Sequence, residues 1–227
     1  MVAKYWSVLH QRLNGISVVT STYNEKDNIE KLIPRIRNIL KNVQREVIVV
    51  DDSSPDGTYL AAKELADIAV SKKREGQTRG IAIGVKHARH ATVVTIDADL
   101  ENDPEYIPSL LDRLQDFDIV VASRDKLPRF SERLFSLLFR EKLGVQDILS
   151  NYRAFKKCVA DRIDFGHEET YGAEFLIKAR RIGFRIGEIT VELRRRGRPR
   201  LGNRLTANLK ILLALVRSVK IYFRSTS

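Results

Sequence analysis

Asp97, Asp99 and Glu101 alternate within the stretch IDADLEND (Ile96 to Asp103), straight after the apolar run Ala91 to Thr95. Alternate residues of an extended segment point to one side, so the three carboxylates share a face unless a turn intervenes. Hard divalent cations bind carboxylate oxygens, and Mg²⁺ commonly takes one or two of them and completes its shell with water and substrate phosphates. The spacing suits a clamp that holds a cation against a diphosphate, with Asp97, Asp99 and Glu101 as candidate ligands for Mg²⁺ or Mn²⁺. A bare DxD is also what a solvated strand end looks like, followed by a helix that Asp103 caps ahead of Pro104. The two readings are compatible: Asp103 is assigned to the cap and the other three to the cation.

This acidic cluster stands out because 40 Lys and Arg outnumber 29 Asp and Glu, for a formal net charge of +11. Such a balance implies anionic partners: nucleic acid, anionic lipid or a phosphorylated substrate. The densest basic segment is Arg194 to Arg200, RRRGRPR, which by itself reads as a solvated basic face or a lipid-headgroup patch. The single cysteine, Cys158, makes no intramolecular disulfide, and no Cys/His cluster offers a zinc site. His10, His87, His90 and His167 are scattered without ligand spacing. The start of the chain lacks the apolar core of a signal peptide, and no uncharged apolar run reaches the roughly 18 residues of a spanning helix. A reducing cytosol and a peripheral membrane contact at most are therefore expected.

The elements that must position these residues alternate in type. Gly15 to Thr20 reads as a buried strand, and Ile29, Leu32, Ile33, Ile36, Ile39 and Leu40 mark one face of the following helix. Glu46 to Val50 is a second strand, closed by the turn formers DDSSPDGT. Helices near Thr58 to Asp67, Arg79 to Arg89 and Pro104 to Gln115 alternate with strands around Ala69 to Ser71, into IDAD and over Asp118 to Ser123. This is the grammar of a mostly parallel, Rossmann-like α/β sheet with helices on both faces, and open sheets of that kind bind ligands beyond the carboxyl ends of their strands. Beyond Arg124 come a basic amphipathic stretch, Phe130 to Leu143, a strand in NYRAFKK, a helix over Tyr171 to Ile182 and a strand over Arg185 to Leu193. A long amphipathic helix over Arg204 to Arg224 closes the chain. One domain with appendages is expected: an extension (1–14), an α/β domain (15–201) and the amphipathic C-terminal helix (202–227).

TYNE (Thr22 to Glu25), VVDDSSPDGT (Val49 to Thr58) and DADLENDPE (Asp97 to Glu105), in that order, resemble the family 2 glycosyltransferases of GT-A fold. The similarity is greatest to the dolichol-phosphate mannose synthases and related polyprenyl-phosphate sugar transferases, over roughly residues 15–201. The resemblance implies a nucleotide site made by Ser21, Tyr23, Glu25, Val50 and Asp52, with Asp97 and Ala98 beside them. Tyr23 would flank the base and Asp52 would accept a base N–H; Ser21 stands where those enzymes usually carry proline. Taken alone, Asp51 and Asp52 read as turn residues ahead of Pro55 and Gly57, and that role is expected of at least one of them. Asp97 and Asp99 match the DxD, with Glu101 where glutamine is frequent. Arg124 matches the family's SR pair. Arg194, Arg196 and Arg200 match the cationic positions of an RxRGxSK segment in which Arg200 replaces lysine and Pro199 replaces serine. Arg133 is a looser candidate for the same acceptor phosphate, and Asp99, Arg124 and Arg196 are the catalytic candidates.

A polyprenyl phosphate is anionic near neutral pH and attacks the sugar's C1 without a general base, whereas a sugar hydroxyl needs one. Arginines then align the acceptor in line with the anomeric carbon, and the metal draws charge from the departing nucleoside diphosphate, which gives inversion. Glu174 is expected to be a structural, helix-face acid. The resemblance points to GDP-mannose as donor and to a site on the cytoplasmic face of a membrane. Phe130 to Leu143 and the last helix either meet a membrane surface or membrane-protein partner there or pack on the domain. Two rivals stay open: the same fold acting on a sugar hydroxyl, and a nonenzymatic nucleic-acid binder, which leaves the acidic cluster unexplained. The QxxRW of processive polymerases and a GxGTR start of nucleotidyltransferases are both absent.

Overall fold

The computed structural model describes residues 15–163, 165, 171–192 and 204–223. Its first strand, β1 (Ile16–Thr22), is buried throughout, because a run of β-branched residues is covered on both sides. Val18 and Val19 show the consequence: neighbours in sequence, they enter the two separate hydrophobic layers on opposite faces of the sheet. The helix α1 (Lys26–Ile39) follows and buries Ile29, Leu32, Ile33 and Ile36, the face marked by their spacing. Next come β2 (Arg45–Asp51), α2 (Thr58–Leu65), β3 (Ile68–Ser71), α3 (Gln77–His87) and β4 (Thr92–Thr95).

A 3₁₀ turn over Pro104–Tyr106 leads into α4 (Ile107–Arg113), where a single helix was expected. Pro108 lies at the start of α4 and lacks the N–H an unbroken helix would use there. Beyond it are β5 (Ile119–Arg124), α5 (Phe130–Leu143), β6 (Arg153–Lys156), the short α6 (Lys157–Ala160), α7 (Tyr171–Arg181), β7 (Ile186–Val191) and α8 (Arg204–Phe223).

The sheet runs β3-β2-β1-β4-β6-β5-β7. All its pairings are parallel except those of β6, which is antiparallel to both β4 and β5. Chain order reverses around β1, which lies between β2 and β4, so the crevice at the carboxyl ends of these three strands is the ligand-binding position of an open sheet. Helices α3, α5 and α7 build one layer with Val19, Ile48 and Phe155 of the sheet; α1 and α4 build the other with Val18, Val49 and Val120.

The last helix lies on the first of these layers. Ala214, Leu215 and Ser218 are buried, the Tyr222 ring meets Phe139 edge-on at 5.9 Å, and Arg181 Nη1 donates to the Ile221 carbonyl at 2.5 Å. Of the two expectations for its apolar stripe, packing on the domain accounts for this buried side. Among the described residues, no helix is long and apolar enough to cross a membrane.

Candidate active site

Two loops wall one side of the crevice and are stitched to each other. The amides of Asn24, Glu25 and Lys26, just past β1, donate to Ser54 Oγ (2.9 Å), Thr58 Oγ1 (3.0 Å) and Asp56 Oδ2 (3.3 Å), in the turn after β2. Asp51 is the turn residue: its carboxylate accepts from the Ser54 amide at 2.9 Å, the Ser54 hydroxyl at 2.5 Å and Thr22 Oγ1 at 3.2 Å. The polar side chains of TYNE and DDSSPDGT thus serve first to hold two loops together. Asp52, one residue on, faces the crevice.

The main cavity has a volume of about 960 Å³, large enough for a nucleotide-sized ligand. Ser21, Tyr23, Glu25, Asp52, Asp97, Ala98 and Asp99, all candidates from the sequence, line it. Val50 does not. Its side chain is fully buried in β2 within the α3 layer, because residues of a strand alternate faces and this one turns to the core.

Arg74, Gly76 and Gln77 complete the wall and were missed by sequence reasoning. Arg74 and Gly76 come from the loop between β3 and α3 and Gln77 opens α3, and the available signal was a glycine, Gly76, just ahead of a helix in a strand-to-helix connection. Gly76 has φ of +87°, a conformation that L side chains rarely adopt. The Arg74 guanidinium sits 4.0 Å from the centre of the Tyr23 ring.

Asp52 is a nearly enclosed carboxylate. Lys72 Nζ and the Glu75 amide (3.0 Å) donate to Oδ1, and the Gly76 amide donates to Oδ2 at 2.9 Å. Burial works to raise its pKa, but the hydrogen bond from Lys72, the two amides and the Lys72 charge outweigh burial and hold it below the ordinary aspartate value. Asp52 is ionised when the crevice is at neutral pH.

The acidic cluster is not an extended ladder. β4 stops at Thr95, and Leu100 has φ of +62°, so Asp97 to Glu101 run through a turn that cancels the alternation. Asp97 and Asp99 line the main cavity; Glu101 lines a smaller one of about 230 Å³. Gln77 Nε2 donates to Asp97 Oδ1, Asn102 Nδ2 to Oδ2 at 3.3 Å, and the Glu101 amide to Asp99 Oδ1 at 3.2 Å. Among the described residues no three acidic, His or Cys side chains converge as a ligand group. Of the three expected ligands, Asp97 and Asp99 share the main cavity, and Glu101 stands apart from Asp99 on the smaller one. That hard-oxygen pair fits Mg²⁺ or Mn²⁺ where substrate phosphates supply further oxygens. Asp103 takes its assigned capping role, accepting from the Glu105 amide at 3.2 Å and pairing with Arg35 at 2.5 Å.

Asp97 lines both cavities, which places the smaller one directly beyond the acidic turn. Its lining sets two cations, Arg124 and Arg129, beside the carboxylates of Asp97, Glu101 and Glu132. Arg124 is held by Asp147 through two hydrogen bonds and lies 3.4 Å from Glu132, while Arg129 meets Glu132 at 2.9 Å. Arg133 is exposed on α5 and does not line either cavity; Arg129, four residues earlier, lines the smaller one. Arg194, Arg196 and Arg200 lie outside the described residues, as do His10 and His167. Glu174 is buried, pairs with Lys178 at 3.5 Å and lines neither cavity, as a helix-face acid does.

A family model described as glycosyl transferase family 2 matches residues 17–151, which carry both stitched loops and the acidic turn. The dolichol-phosphate mannosyltransferase of Pyrococcus furiosus is 38% identical over 115 residues, 48% of this chain and 33% of that protein. An undecaprenyl-phosphate 4-deoxy-4-formamido-L-arabinose transferase of Pseudomonas fluorescens is 30% identical over 168 residues, 66% of this chain and 49% of that protein. The chain spans half or less of the length of these curated relatives. Glucosyl-3-phosphoglycerate synthase from Mycobacterium tuberculosis, solved with Mn²⁺, UDP and glucosyl-3-phosphoglycerate, superposes with a TM-score of 0.74 at 25% identity, covering 92% of this chain and 81% of that one. The same enzyme with Mg²⁺ and UDP gives 0.75 at 23% identity, covering 93% and 82%. The observed α/β sheet is the GT-A architecture expected from the sequence, and with more than half of its length matched, the chain belongs to glycosyl transferase family 2.

Proposed function

We propose that the protein is an inverting, metal-dependent glycosyltransferase that moves a sugar from a nucleoside diphosphate to a polyprenyl phosphate. The observation that carries this reading is the sharing of Asp97 by two cavities, a large one for the donor and a small one beyond it that Arg124 and Arg129 help to line. Asp97 and Asp99 would hold Mg²⁺ or Mn²⁺, which supplies positive charge against the departing diphosphate. Tyr23, Glu25 and Asp52 bind and orient the nucleoside. Arg129 and Arg124 form the described part of the acceptor wall, and the family resemblance assigns the same phosphate to Arg194, Arg196 and Arg200. A phosphate acceptor arrives without a proton to lose, so the reaction asks for alignment, not a general base. The burial of Glu174 away from both cavities supports a base-free transfer over a hydroxyl acceptor.

The names of the two curated relatives, one for dolichol phosphate and one for undecaprenyl phosphate, support the lipid-phosphate acceptor. Mannose is the sugar the resemblance favours, in line with the Pyrococcus relative's name. The divalent metal finds support in the Mn²⁺ and Mg²⁺ of the solved relative. We place the enzyme at the cytoplasmic face of a membrane, attached through exposed apolar residues of α5 and α8 beside Arg133, Arg140 and Arg217. The unit 15–201 would carry catalysis, with 1–14 as an extension and 202–227 as the helix that leans on it.

The deciding assay is transfer from radiolabelled UDP- and GDP-sugars to dolichyl or undecaprenyl phosphate in detergent with Mg²⁺ or Mn²⁺, with Asp99→Asn alongside. Metal-dependent labelling of the lipid, lost in the variant, is the expected result. Donor hydrolysis without lipid labelling would move the acceptor to a sugar hydroxyl. Salt-sensitive RNA binding without nucleotide-sugar binding would overturn the enzyme reading.

A further inference from the structure

A third cavity, of about 520 Å³, is a groove between α3 and the segment that runs from α6 to Phe165. None of its lining residues lines the donor cavity or the smaller one beyond it. Arg79, Ala82, Val85 and Lys86 recur at the spacing of one helical face, so α3 presents a single stripe to the groove. Gln77, two residues ahead of that stripe, belongs to the donor cavity. The same helix therefore serves two separate cavities.

The groove divides by chemistry. Its cations are Arg79, Lys86, Lys157 and Arg162, against one carboxylate, Asp161. Arg124 and Arg129 on the smaller cavity are held by Asp147 and Glu132, whereas no carboxylate of the described residues pairs with any of these four. The Arg162 guanidinium lies 5.9 Å from the centre of the Phe184 ring. The apolar part of the lining is buried: Val85, Ile163 and Phe165 belong to the hydrophobic layer of α3 and α7, where the Phe165 ring stacks on Phe175 at 5.2 Å.

Like charges gathered around a concave, partly apolar surface repel one another, and their potentials add inside it. A ligand that brings the opposite charge removes that repulsion. Arg79 and Arg162 offer planar forks to phosphate oxygens, and Lys86 and Lys157 offer point charges. A bare phosphate would leave the apolar lining uncovered, and a neutral apolar ligand would leave the cations unmatched. The volume falls in the range of small-molecule sites, about 300–1,000 Å³.

We propose that this groove is a second ligand site, which takes a phosphate ester carrying an apolar body. It uses no residue of the sugar-transfer site and stands independently of that reading.

Isothermal titration of the full chain tests it with three water-soluble probes: dihexanoylphosphatidic acid, phenyl phosphate and inorganic phosphate. At least one ester is expected to bind roughly tenfold or more tightly than inorganic phosphate, the scale of covering one apolar side chain. Tighter binding of the phosphatidic acid identifies a lipid headgroup as the source, and tighter binding of phenyl phosphate a soluble ester. Saturating UDP with Mn²⁺ should leave the ester bound. Lys86→Glu with Lys157→Glu is expected to weaken the ester by roughly tenfold or more and to change UDP affinity by less than about twofold, since neither residue lines the donor cavity. Lys86 is exposed, so Lys86→Glu alone carries the test should the pair fail to fold. An ester that UDP displaces, or that the charge reversal leaves untouched, sits elsewhere on the protein and overturns the site. Inorganic phosphate that binds as tightly as the esters would overturn the apolar body, and failure of all three probes would overturn the proposal outright.

Discussion

Arg124 at the end of β5 grips Asp147 at two points, Nη2 donating to Oδ1 at 3.0 Å and Nε to Oδ2, with the Asp147 side chain 1% exposed. Burial disfavours the Arg124 charge, but Asp147 and then Glu132 outweigh it and hold the pKa above the ordinary arginine value. The same Glu132 carboxylate accepts from Arg129 at 2.9 Å and from the Arg129 amide at 3.1 Å, closing the start of α5. Arg124 therefore ties three segments together at the wall of the smaller cavity. Arg124→Ala strands Asp147 as a buried, unpaired charge and is expected to cost about 3–5 kcal/mol in urea unfolding. A variant that keeps full stability but loses transfer would show that Arg124 acts on the acceptor and not on the wall.

Gly80 lets α3 approach β1 closely enough to bring Gly76 and Gln77 to the crevice. A Cβ at Gly80 would overlap the Ser21 side chain, 2.8 Å from its Cβ and nearer still to its Oγ. Gly80→Ala is expected to destabilise by about 1–3 kcal/mol and to weaken nucleotide binding as α3 shifts. Adding Ser21→Ala removes the obstructing hydroxyl and is expected to recover part of both losses, a coupling that a double-mutant cycle reads directly.

Much of this arrangement is legible in the amino-acid sequence, and the limits have physical causes. β1, α1 and β2 announce themselves because burial on one or both faces imposes a period, and Ile29, Leu32, Ile33 and Ile36 obey it. That Asp51 or Asp52 would close a turn follows from local chemistry; which one does so depends on Ser54 and Thr22 reaching Asp51, a tertiary matter. Arg74 lies in a polar loop and Gln77 at the first position of α3, where no period marks direction. Arg124 was recognisable as a cation of interest, but its carboxylate partners are 23 and 8 residues away and nothing in the sequence joins them. For α8 an amphipathic stripe is the same whether it meets lipid or protein, and only Phe139 and Arg181 across the gap distinguish the two.

Placement of the acidic residues separates their expected roles. Asp97→Asn and Asp99→Asn are each expected to weaken Mn²⁺-dependent nucleotide binding by roughly tenfold or more, the scale of a single charge-assisted interaction. Glu101→Gln, on the smaller cavity, is expected to change it by less than about twofold, since a cation bound with phosphates needs only one or two carboxylates. Titration of nucleotide affinity against Mn²⁺ measures all three. An equal loss in Glu101→Gln would mean that ligand binding draws the third carboxylate into the set.

Glu46 links β2 to the far end of α3 and sets an acid limit on stability. Its carboxylate accepts from Ser17 Oγ at 2.6 Å, the Arg89 amide at 2.7 Å and Arg89 Nε at 2.7 Å. Burial raises its pKa, but Ser17 and Arg89 together outweigh burial and set it below the ordinary glutamate value of 4.5. A folded-state pKa that is depressed gives stability that is present above 4.5 and lost as pH falls through the lower, folded value. Glu46→Gln is expected to cost about 2 kcal/mol at neutral pH, mostly through the Ser17 and amide bonds, because the Arg89 side chain is largely exposed. In strong acid the difference between the two proteins should vanish. A gap that stays constant with pH would assign the effect to packing.

The outer faces of α5 and α8 carry the last prediction. Leu137 is 77% exposed and Phe130 68%, Leu213 and Val216 are 55% and 54% exposed, and Arg133, Arg140 and Arg217 are exposed among them. Apolar side chains beside cations are what an interfacial surface presents to anionic lipid, and each side chain that enters the headgroup boundary contributes about 1.5–3 kcal/mol. The protein is expected to float with vesicles containing phosphatidylglycerol and to be released in part by salt, which screens the cations but not the apolar contacts. Leu137→Glu combined with Leu213→Glu should abolish flotation while changing folding stability by less than about 1 kcal/mol, since neither side chain contributes to the core. Wild-type protein that stays unbound at low salt would require a membrane-protein partner to bring the lipid phosphate to Arg129.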